Sequence, residues 1–315
     1  MDLSLFESMR VIALPTKTNF RGVSVREIAL FQGTYGWGEF SPFLEYSDEE
    51  AAPWLACAIE AATSPRPRIF RNSVKVNGTI PALNDSADIE RIVAAFPGVE
   101  TFKVKVGDNL AEDLVRLAKV RSLSPKAKIR IDVNGNWSVA DAITNLQAIY
   151  EITGPLEYVE QPCATVEELR ELKEKIKIDI KIAGDEVLRK ANDPFAVNLT
   201  DAIDVLMLKV QPLGGIARAQ KLAAHHKLPV VVSSALESAV GIQYGLYLAA
   251  SFPDMKFDCG LGTGSLLAAD VAELPIVNGE IAINDFEPEL DGHDVAPDRY
   301  EWWKNRVMRT AELIA

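Results

Sequence analysis

From about residue 74 to residue 260 the chain repeats one unit: a short Val/Ile-rich run followed by a longer stretch with helical spacing of apolar residues. Eight runs, at 74–80, 101–106, 129–133, 156–160, 180–184, 205–209, 229–233 and 257–260, are separated by helix-compatible segments such as 110–122, 139–152, 165–176 and 215–226. Strands that alternate with helices pair in parallel through right-handed crossovers, and eight of them fit a closed barrel better than an open sheet. The expected fold class is therefore α/β: a TIM-like (β/α) barrel over residues 73–273. An α+β capping domain, built from residues 1–72 and completed by the tail at 274–315, accompanies it. An open doubly wound sheet is the structural alternative. The cluster Gly260-Leu261-Gly262-Thr263-Gly264 adds little to that alternative, because it lies at the eighth run and lacks G-x-G-x-x-G spacing and an acidic partner downstream.

The flanks read differently. Residues 1–72 alternate short β-like runs with turn signals, and a helix over 47–62 is ended by Ser64-Pro65-Arg66-Pro67. In the tail, the runs 275–277 and 280–283 are joined by Asn278-Gly279, a hairpin signal, and a last helix carries Trp302 and Trp303. This tail is expected to pack back onto the N-terminal unit. A chain of 315 residues with 48% hydrophobic content can bury a large core. The net charge of -12 argues against nucleic acid or an anionic membrane surface as a partner. The opening residues lack the pattern of a signal peptide and no run is long enough for a membrane span, so a cytoplasmic location is expected. Cys57, Cys163 and Cys259 are odd in number and far apart, which supports neither a disulfide framework nor a zinc knuckle. His225 and His226, near the end of a helix, offer no metal spacing.

The ionisable residues fall at strand ends. In Lys103-Val104-Lys105 the alternation of a strand puts both lysines on one face, roughly 7 Å apart. Taken alone this is an edge strand with solvated lysines. Two neighbouring ammonium groups also make each other easier to deprotonate, as a general base near neutral pH requires. The third run ends with Asp132, the fourth with Glu160, the fifth with Asp185 and the sixth with Lys209, at steps of 28, 25 and 24 residues. In a barrel these ends converge on one mouth, where such folds keep their chemistry. A single Asp at a strand end is most often a helix cap. Three carboxylates in register, without thiols or imidazoles, make instead a hard-oxygen site that suits Mg²⁺. Lysines on both sides of a divalent cation suit proton abstraction next to a substrate carboxylate.

At these residues the chain resembles the enolase superfamily, in the branch with K-x-K on strand two and a lysine on strand six. The motifs are Lys103-Val104-Lys105, Asp132 with Asn134, Glu160-Gln161-Pro162, Gly184-Asp185-Glu186 and Lys209-Val210-Gln211-Pro212-Leu213-Gly214-Gly215. Within that branch, Phe20-Arg21-Gly22, Gly36-Trp37-Gly38-Glu39-Phe40-Ser41-Pro42 and Ser233-Ser234-Ala235-Leu236-Glu237-Ser238 resemble the o-succinylbenzoate synthase family of actinobacterial type. The resemblance implies a Mg²⁺-dependent syn dehydration of 2-succinyl-6-hydroxy-2,4-cyclohexadiene-1-carboxylate to 2-succinylbenzoate, in menaquinone biosynthesis. It implies that Lys105 acts as base and then acid, that Lys209 stabilises the intermediate from the opposite face with Lys103 nearby, and that Asp132, Glu160 and Asp185 bind Mg²⁺. Arg21, Ser233 and Gly260 are the candidate contacts to a small carboxylate substrate, and Arg21 with the 36–42 loop is expected to close over the mouth. No protein partner is expected.

Rival readings share parts of this pattern. N-acylamino acid racemase has the same fold, metal ligands and lysines, so that activity, or another lysine-dependent epimerisation, is the alternative and is compatible with a second activity. Dipeptide epimerases carry Asp-x-Asp on strand eight, whereas Asp258-Cys259-Gly260 supplies only the first acid. A glycosidase pair of Glu160 and Glu237 leaves the lysines unused, and Ser233 and Ser234 lack a G-x-S-x-G elbow. A non-catalytic barrel would be expected to have lost a ligand or a lysine, and none is missing.

Overall fold

The computed structural model describes the chain except Met1, Asp2, Arg21, Asp108 and Ala315. Strands β1 (Arg10–Phe20), β2 (Val23–Gly33) and β3 (Gly36–Phe40) form an antiparallel sheet in that order. Helix α1 (Asp48–Thr63) starts at a reciprocal capping box, in which the Ser47 side chain accepts from Glu50 N and the Glu50 carboxylate accepts from Ser47 N. Its first turn is acidic, as the positive end of the helix dipole favours. One face of α1 buries Trp54, Leu55 and Ala58 against the sheet, and the approach is close enough that a Cβ at Gly38 would lie 2.9 Å from the Ala58 carbonyl carbon. The last helix lays Trp303, Val307 and Ala311 into the same core, with the Phe40 and Trp303 rings 5.9 Å apart.

The segment expected to be a closing loop is therefore largely a strand. Residues 36–40 pair with β2, and Phe40 is fully buried. A paired strand with a core aromatic cannot swing as a lid.

Next, β4 (Ser73–Lys75) and β5 (Gly78–Ile80) replace the single first run, and α2 (Ser86–Ala94) follows. The units β6 (Thr101–Lys105) with α3 (Leu110–Leu123), β7 (Lys128–Asp132) with α4 (Val139–Thr153), and β8 (Tyr158–Glu160) with α5 (Val166–Lys175) come after. Strand β9 (Ile182–Gly184) is followed by only one turn, α6 (Glu186–Arg189). Then β10 (Val205–Lys209) leads to α7 (Ile216–His226), and β11 (Val230–Ser233) to α8 (Ala239–Ala250). Strands β5 to β11 form one parallel sheet in sequence order. Period-two alternation sorts each strand: Phe102, Val104, Ile129 and Ile131 join the core beneath the helices, while Lys103 and Lys105 turn into the bore. Each fully buried aliphatic side chain there contributes roughly 1.5–3 kcal/mol.

The eighth run does not form a regular strand. It closes the ring through two parallel bridges, Val76 to Cys259 and Ser233 to Gly260, with Cys259 N donating to Lys75 O and Gly260 N to Val232 O, both at 2.8 Å. The first run splits because it serves two sheets. Its start, β4, pairs with β13 (Glu280–Ala282) of the tail hairpin, whose other strand is β12 (Ile276–Val277), and β5 alone continues in the barrel. The hairpin thus packs under the barrel's first run, whereas the last helix, α9 (Pro297–Ile314), packs on α1. The three cysteines are free and buried, and no helix among the described residues is long and apolar enough to cross a membrane.

Candidate active site

Strand β6 is central in the sheet, between β5 and β7, which removes the reading of Lys103 and Lys105 as guards of an exposed edge. Lys103 is only 5% exposed. Register sets Lys105, Asp132 and Glu160 side by side on β6, β7 and β8. Lys105 Nζ donates to Asp132 Oδ2 at 2.5 Å and to Asn134 Oδ1 at 2.8 Å. Lys103 Nζ lies 2.9 Å from Glu160 Oε2 and 3.3 Å from Asp132 Oδ2. Lys209 Nζ donates to Asp185 Oδ2 at 2.6 Å, and Arg189 Nε reaches the same oxygen at 3.1 Å. Lys105 and Lys209 stand four strands apart in the ring, on opposite walls of the mouth. The structure thus brings together all three expected lysines and all three expected carboxylates.

Asp185 occupies the position before α6 where a capping side chain is usual, yet it makes no capping bond. Its Oδ2 faces both Lys209 and Arg189 instead, which argues against the ordinary helix-cap role.

Charge in the site is settled by burial and by mutual pairing. Burial alone would lower the Lys103 ammonium, but Glu160 and Asp132 more than reverse this and hold it above its ordinary value. The expected lowering by its neighbour lysine is thus overridden at Lys103, which stays protonated. Burial pushes Asp132 up, and Lys105, Lys103 and Lys209 together bring it well below the usual carboxylate range. Asp185 is likewise pushed up by burial but held low by Arg189 and Lys209. Glu160 goes the other way: burial and the charge of Asp132 raise it despite Lys103 and Lys209.

Among the described residues no three carboxylates or imidazoles stand preassembled around one point, because Asp132 and Asp185 each turn an oxygen to an ammonium group. The donor set nevertheless fits a hard divalent cation. Asp132, Glu160 and Asp185 are all essentially inaccessible, and Glu160 Oε1 is buried with no hydrogen-bond partner. A buried oxygen left unpaired is costly without a positive partner.

The loops leaving the strands are held in uncommon backbone. Asn134 (φ 54°) and Gln161 (φ 42°) are both left-handed, a conformation that non-glycine residues seldom adopt outside constrained sites. Gln161 Oε1 accepts from Asp185 N and Val187 N, at 3.0 and 3.2 Å, and so ties the β8 end to the β9 end. Over the mouth the cap contributes Phe20, Phe43, Tyr46 and Trp54, and the β11 side contributes Ser233, Ser234 and Ala235 with Gly260 and Thr263. Ser233 and Gly260 are therefore at the mouth, while Arg21 lies outside the described residues. Asp258 is not at the mouth: it accepts from Thr101 Oγ1 at 2.6 Å, at the opposite end of β6. Glu237 is buried beside Ala235 N and does not join the carboxylate set.

Sequence reasoning missed Arg189, which binds Asp185, Glu186 and the Tyr46 hydroxyl. Its i+4 spacing from Asp185 was the available signal. It gave Glu39 no role although the residue stands in the 36–42 motif, because four of its five donors lie 172 to 202 residues away and leave no local pattern.

Comparison with known proteins follows the same outline. The family described as Enolase C-terminal domain-like matches residues 87–299, and Enolase N-terminal domain-like matches residues 11–62. An o-succinylbenzoate synthase of Mycobacterium ulcerans is 48% identical over 319 residues, covering 98% of this chain and 95% of that protein. The o-succinylbenzoate synthase of Mycobacterium tuberculosis is 46% identical, covering 99% and 96%. Among solved structures, the L-Ala-D/L-Glu epimerase of Bacillus subtilis superposes with a TM-score of 0.75 at 21% identity, over 91% of this chain and 98% of that one. The muconate lactonizing enzyme of Pseudomonas putida gives 0.70 at 18%, over 96% and 98%. These two likenesses speak for the fold alone. With one family matched over most of the chain and relatives nearly half identical end to end, this chain belongs to the enolase superfamily and, within it, to the o-succinylbenzoate synthase family.

Proposed function

We propose that this enzyme is an o-succinylbenzoate synthase, which removes water from 2-succinyl-6-hydroxy-2,4-cyclohexadiene-1-carboxylate to give 2-succinylbenzoate in menaquinone biosynthesis. The observation that carries the reading is the placement of Lys105 and Lys209 on opposite walls of a mouth floored by three buried carboxylates. The family relationship over nearly the whole chain supports the choice of substrate.

In this reading Lys105, as the neutral amine, takes the proton next to the ring carboxylate. The ammonium so formed returns a proton to the hydroxyl leaving from the same face, so that water departs and the ring becomes aromatic. Asp132 and Asn134 orient Nζ of Lys105 for both transfers. Lys209 keeps its charge and offsets the negative charge that develops on the other face. Lys103, held protonated between Glu160 and Asp132, fixes those two carboxylates and takes no proton itself. Asp132, Glu160 and Asp185 would hold Mg²⁺, which supplies positive charge beside the substrate carboxylate. Members of the superfamily generally use this ion. The apolar ring wall of Phe20, Phe43 and Trp54 excludes water from the reacting face.

Opposed lysines also suit two-base racemisation of an N-acylated amino acid. Purified protein should therefore be assayed against the cyclohexadiene carboxylate and an N-acylamino acid, with Mg²⁺ and after EDTA. The expected result is dehydration that is lost with EDTA and restored by Mg²⁺, with Asp185→Asn about 10³-fold or more weaker at equal fold stability. Full activity of Asp185→Asn after EDTA treatment would remove the metal assignment. Racemisation without dehydration would remove the substrate assignment.

A further inference from the structure

We propose that Glu39, on cap strand β3, is a positioning residue that sets the height of the cap's aromatic wall above Lys209. The proposal rests on the mouth being the reaction site described above. Glu39 is 3% exposed and its carboxylate takes five hydrogen bonds. Oε1 accepts from Ser41 Oγ at 2.6 Å, Gln211 Nε2 at 3.3 Å and Ser238 N at 3.3 Å. Oε2 accepts from Ser238 Oγ at 2.5 Å and Gly241 N at 2.8 Å. Four of the five donors belong to the barrel.

Those donors sit where they matter for the site. Gln211 is two residues beyond Lys209, in the turn that leaves β10. Ser238 caps α8 and Gly241 lies in its first turn, a few residues beyond the segment 233–235 that lines the mouth. On the cap side, Ser41 links Glu39 to the chain that continues into Phe43 and Tyr46. A second cap residue braces the same joint: Arg26 Nε donates to Leu236 O at 3.1 Å, its Nη2 donates to Ser41 O, and its guanidinium lies 4.5 Å from the Phe43 ring centre. One carboxylate thus ties together the aromatic wall over the mouth and the segments that follow Lys209 and Ser233 at the ends of β10 and β11.

The requirement is for an acceptor with two oxygens. Every partner of Glu39 is a donor, so Glu39→Gln keeps the shape but turns an NH₂ group against donors of Ser238, Gly241 or Gln211. The wall then shifts while Lys105 and Lys209 keep their own partners, none of which is Glu39. The expected effect is on substrate binding more than on the chemical step.

The test compares wild type, Glu39→Asp and Glu39→Gln by kinetics and by hydrogen exchange. For Glu39→Gln, KM should rise about tenfold or more with kcat within about threefold, and Glu39→Asp should fall between it and wild type. A residue that merely supports folding would reduce the active fraction, lowering apparent kcat at unchanged KM, and that result would overturn the proposal. Amides of 36–43 and 238–241 should exchange at least about tenfold faster in Glu39→Gln, while β6 to β8 remain as in wild type; unchanged exchange at 238–241 would also overturn it. If Glu39→Gln does not fold, Ser238→Ala, which removes one donor to Oε2, should raise KM about two- to fivefold, and a wild-type KM there counts against the proposal. Exchange needs no substrate, so absence of dehydration in the wild type would strike the functional reading and leave this one standing.

Discussion

The mouth and the base of the barrel bury charge in the same bore, yet they handle it in opposite ways. On β7, Arg130 is fully buried near the base and Asp132 is fully buried at the mouth, two residues on. Arg130 donates to Glu157 Oε2 at 2.6 Å, Asn77 Oδ1 at 2.9 Å and Asp258 O at 2.7 Å, with the Tyr158 ring 4.7 Å from its carbon. That ring belongs to an apolar cluster with Ala183, Val205, Met207, Val231 and Phe257, and the Phe257 ring also lies 5.9 Å from the Arg130 carbon. At the mouth the cations are Lys103, Lys105 and Lys209, with Arg189 beside Asp185, and Glu160 Oε1 has no partner. A planar guanidinium never loses its charge and locks a fixed geometry, whereas an ammonium on a flexible stem can give up a proton. The base uses charge to hold shape; the mouth, in the proposed reaction, also moves a proton at Lys105.

The largest expected effect tests the mouth. Lys105→Arg should lower dehydration about 10⁴-fold or more, because both proton transfers need an amine that titrates. Lys209→Arg should keep a measurable remnant, on the order of 10⁻³ to 10⁻² of wild type, because the charge it supplies survives. Steady-state kinetics on both variants decide this. Equal and complete loss in both would indicate that each lysine moves a proton, as in a racemase, and Lys209→Arg should abolish any racemisation.

Next in size is the converse substitution at the base. Arg130→Met should destabilise the fold by about 3–5 kcal/mol, since it strips a cation from a buried network. The kcat of the folded fraction should stay within about threefold of wild type. Urea unfolding and kinetics on the same preparation measure both quantities, and a loss of kcat comparable with that of Lys105→Arg would end the distinction between the two layers.

The smallest effect concerns Glu237, which is as buried as Glu160 but has no lysine against it. Burial, then the charge of Glu39, pushes it up to about 7 from an ordinary 4.5. The folded state therefore binds this proton more tightly than the unfolded state, so stability falls as pH rises from about 4.5 to 7 and the penalty is complete above 7. Glu237→Gln removes that penalty. It should be more stable than wild type by up to about 3 kcal/mol at pH 8, with the advantage gone below about pH 5. Thermal melts at the two pH values give the sign, and an advantage that grows towards acid would contradict the assignment.

Much of this site was legible because barrel geometry turns sequence spacing into spatial convergence. Lys103, Lys105, Asp132, Glu160, Asp185 and Lys209 lie at or next to the ends of their runs; register sets Lys105, Asp132 and Glu160 side by side, and the curl of the sheet brings the others to the same mouth. What alternation could not give was their pairing. Lys103 was read as a neighbour that eases deprotonation, but the two carboxylates beside it decide its charge. Segment 36–40 reads as a loop because its glycines mark turns; Gly36 does serve the turn, but Gly38 lets β3 pack closely on α1, which is visible only with the helix in place. The split of the first run likewise depends on the tail hairpin, which arrives 200 residues later.

Gly260 carries a consequence for how such a mouth can change its chemistry over evolutionary time. Its backbone approaches Ser233 so closely that an added Cβ would overlap the serine hydroxyl, and even with the hydroxyl rotated away the serine Cβ stands 3.1 Å off. A side chain at 260 therefore needs Ser233 to give way. Positions 233 and 260 are thus coupled through space, and a change of chemistry that puts a side chain at 260 is expected to come with a change at 233.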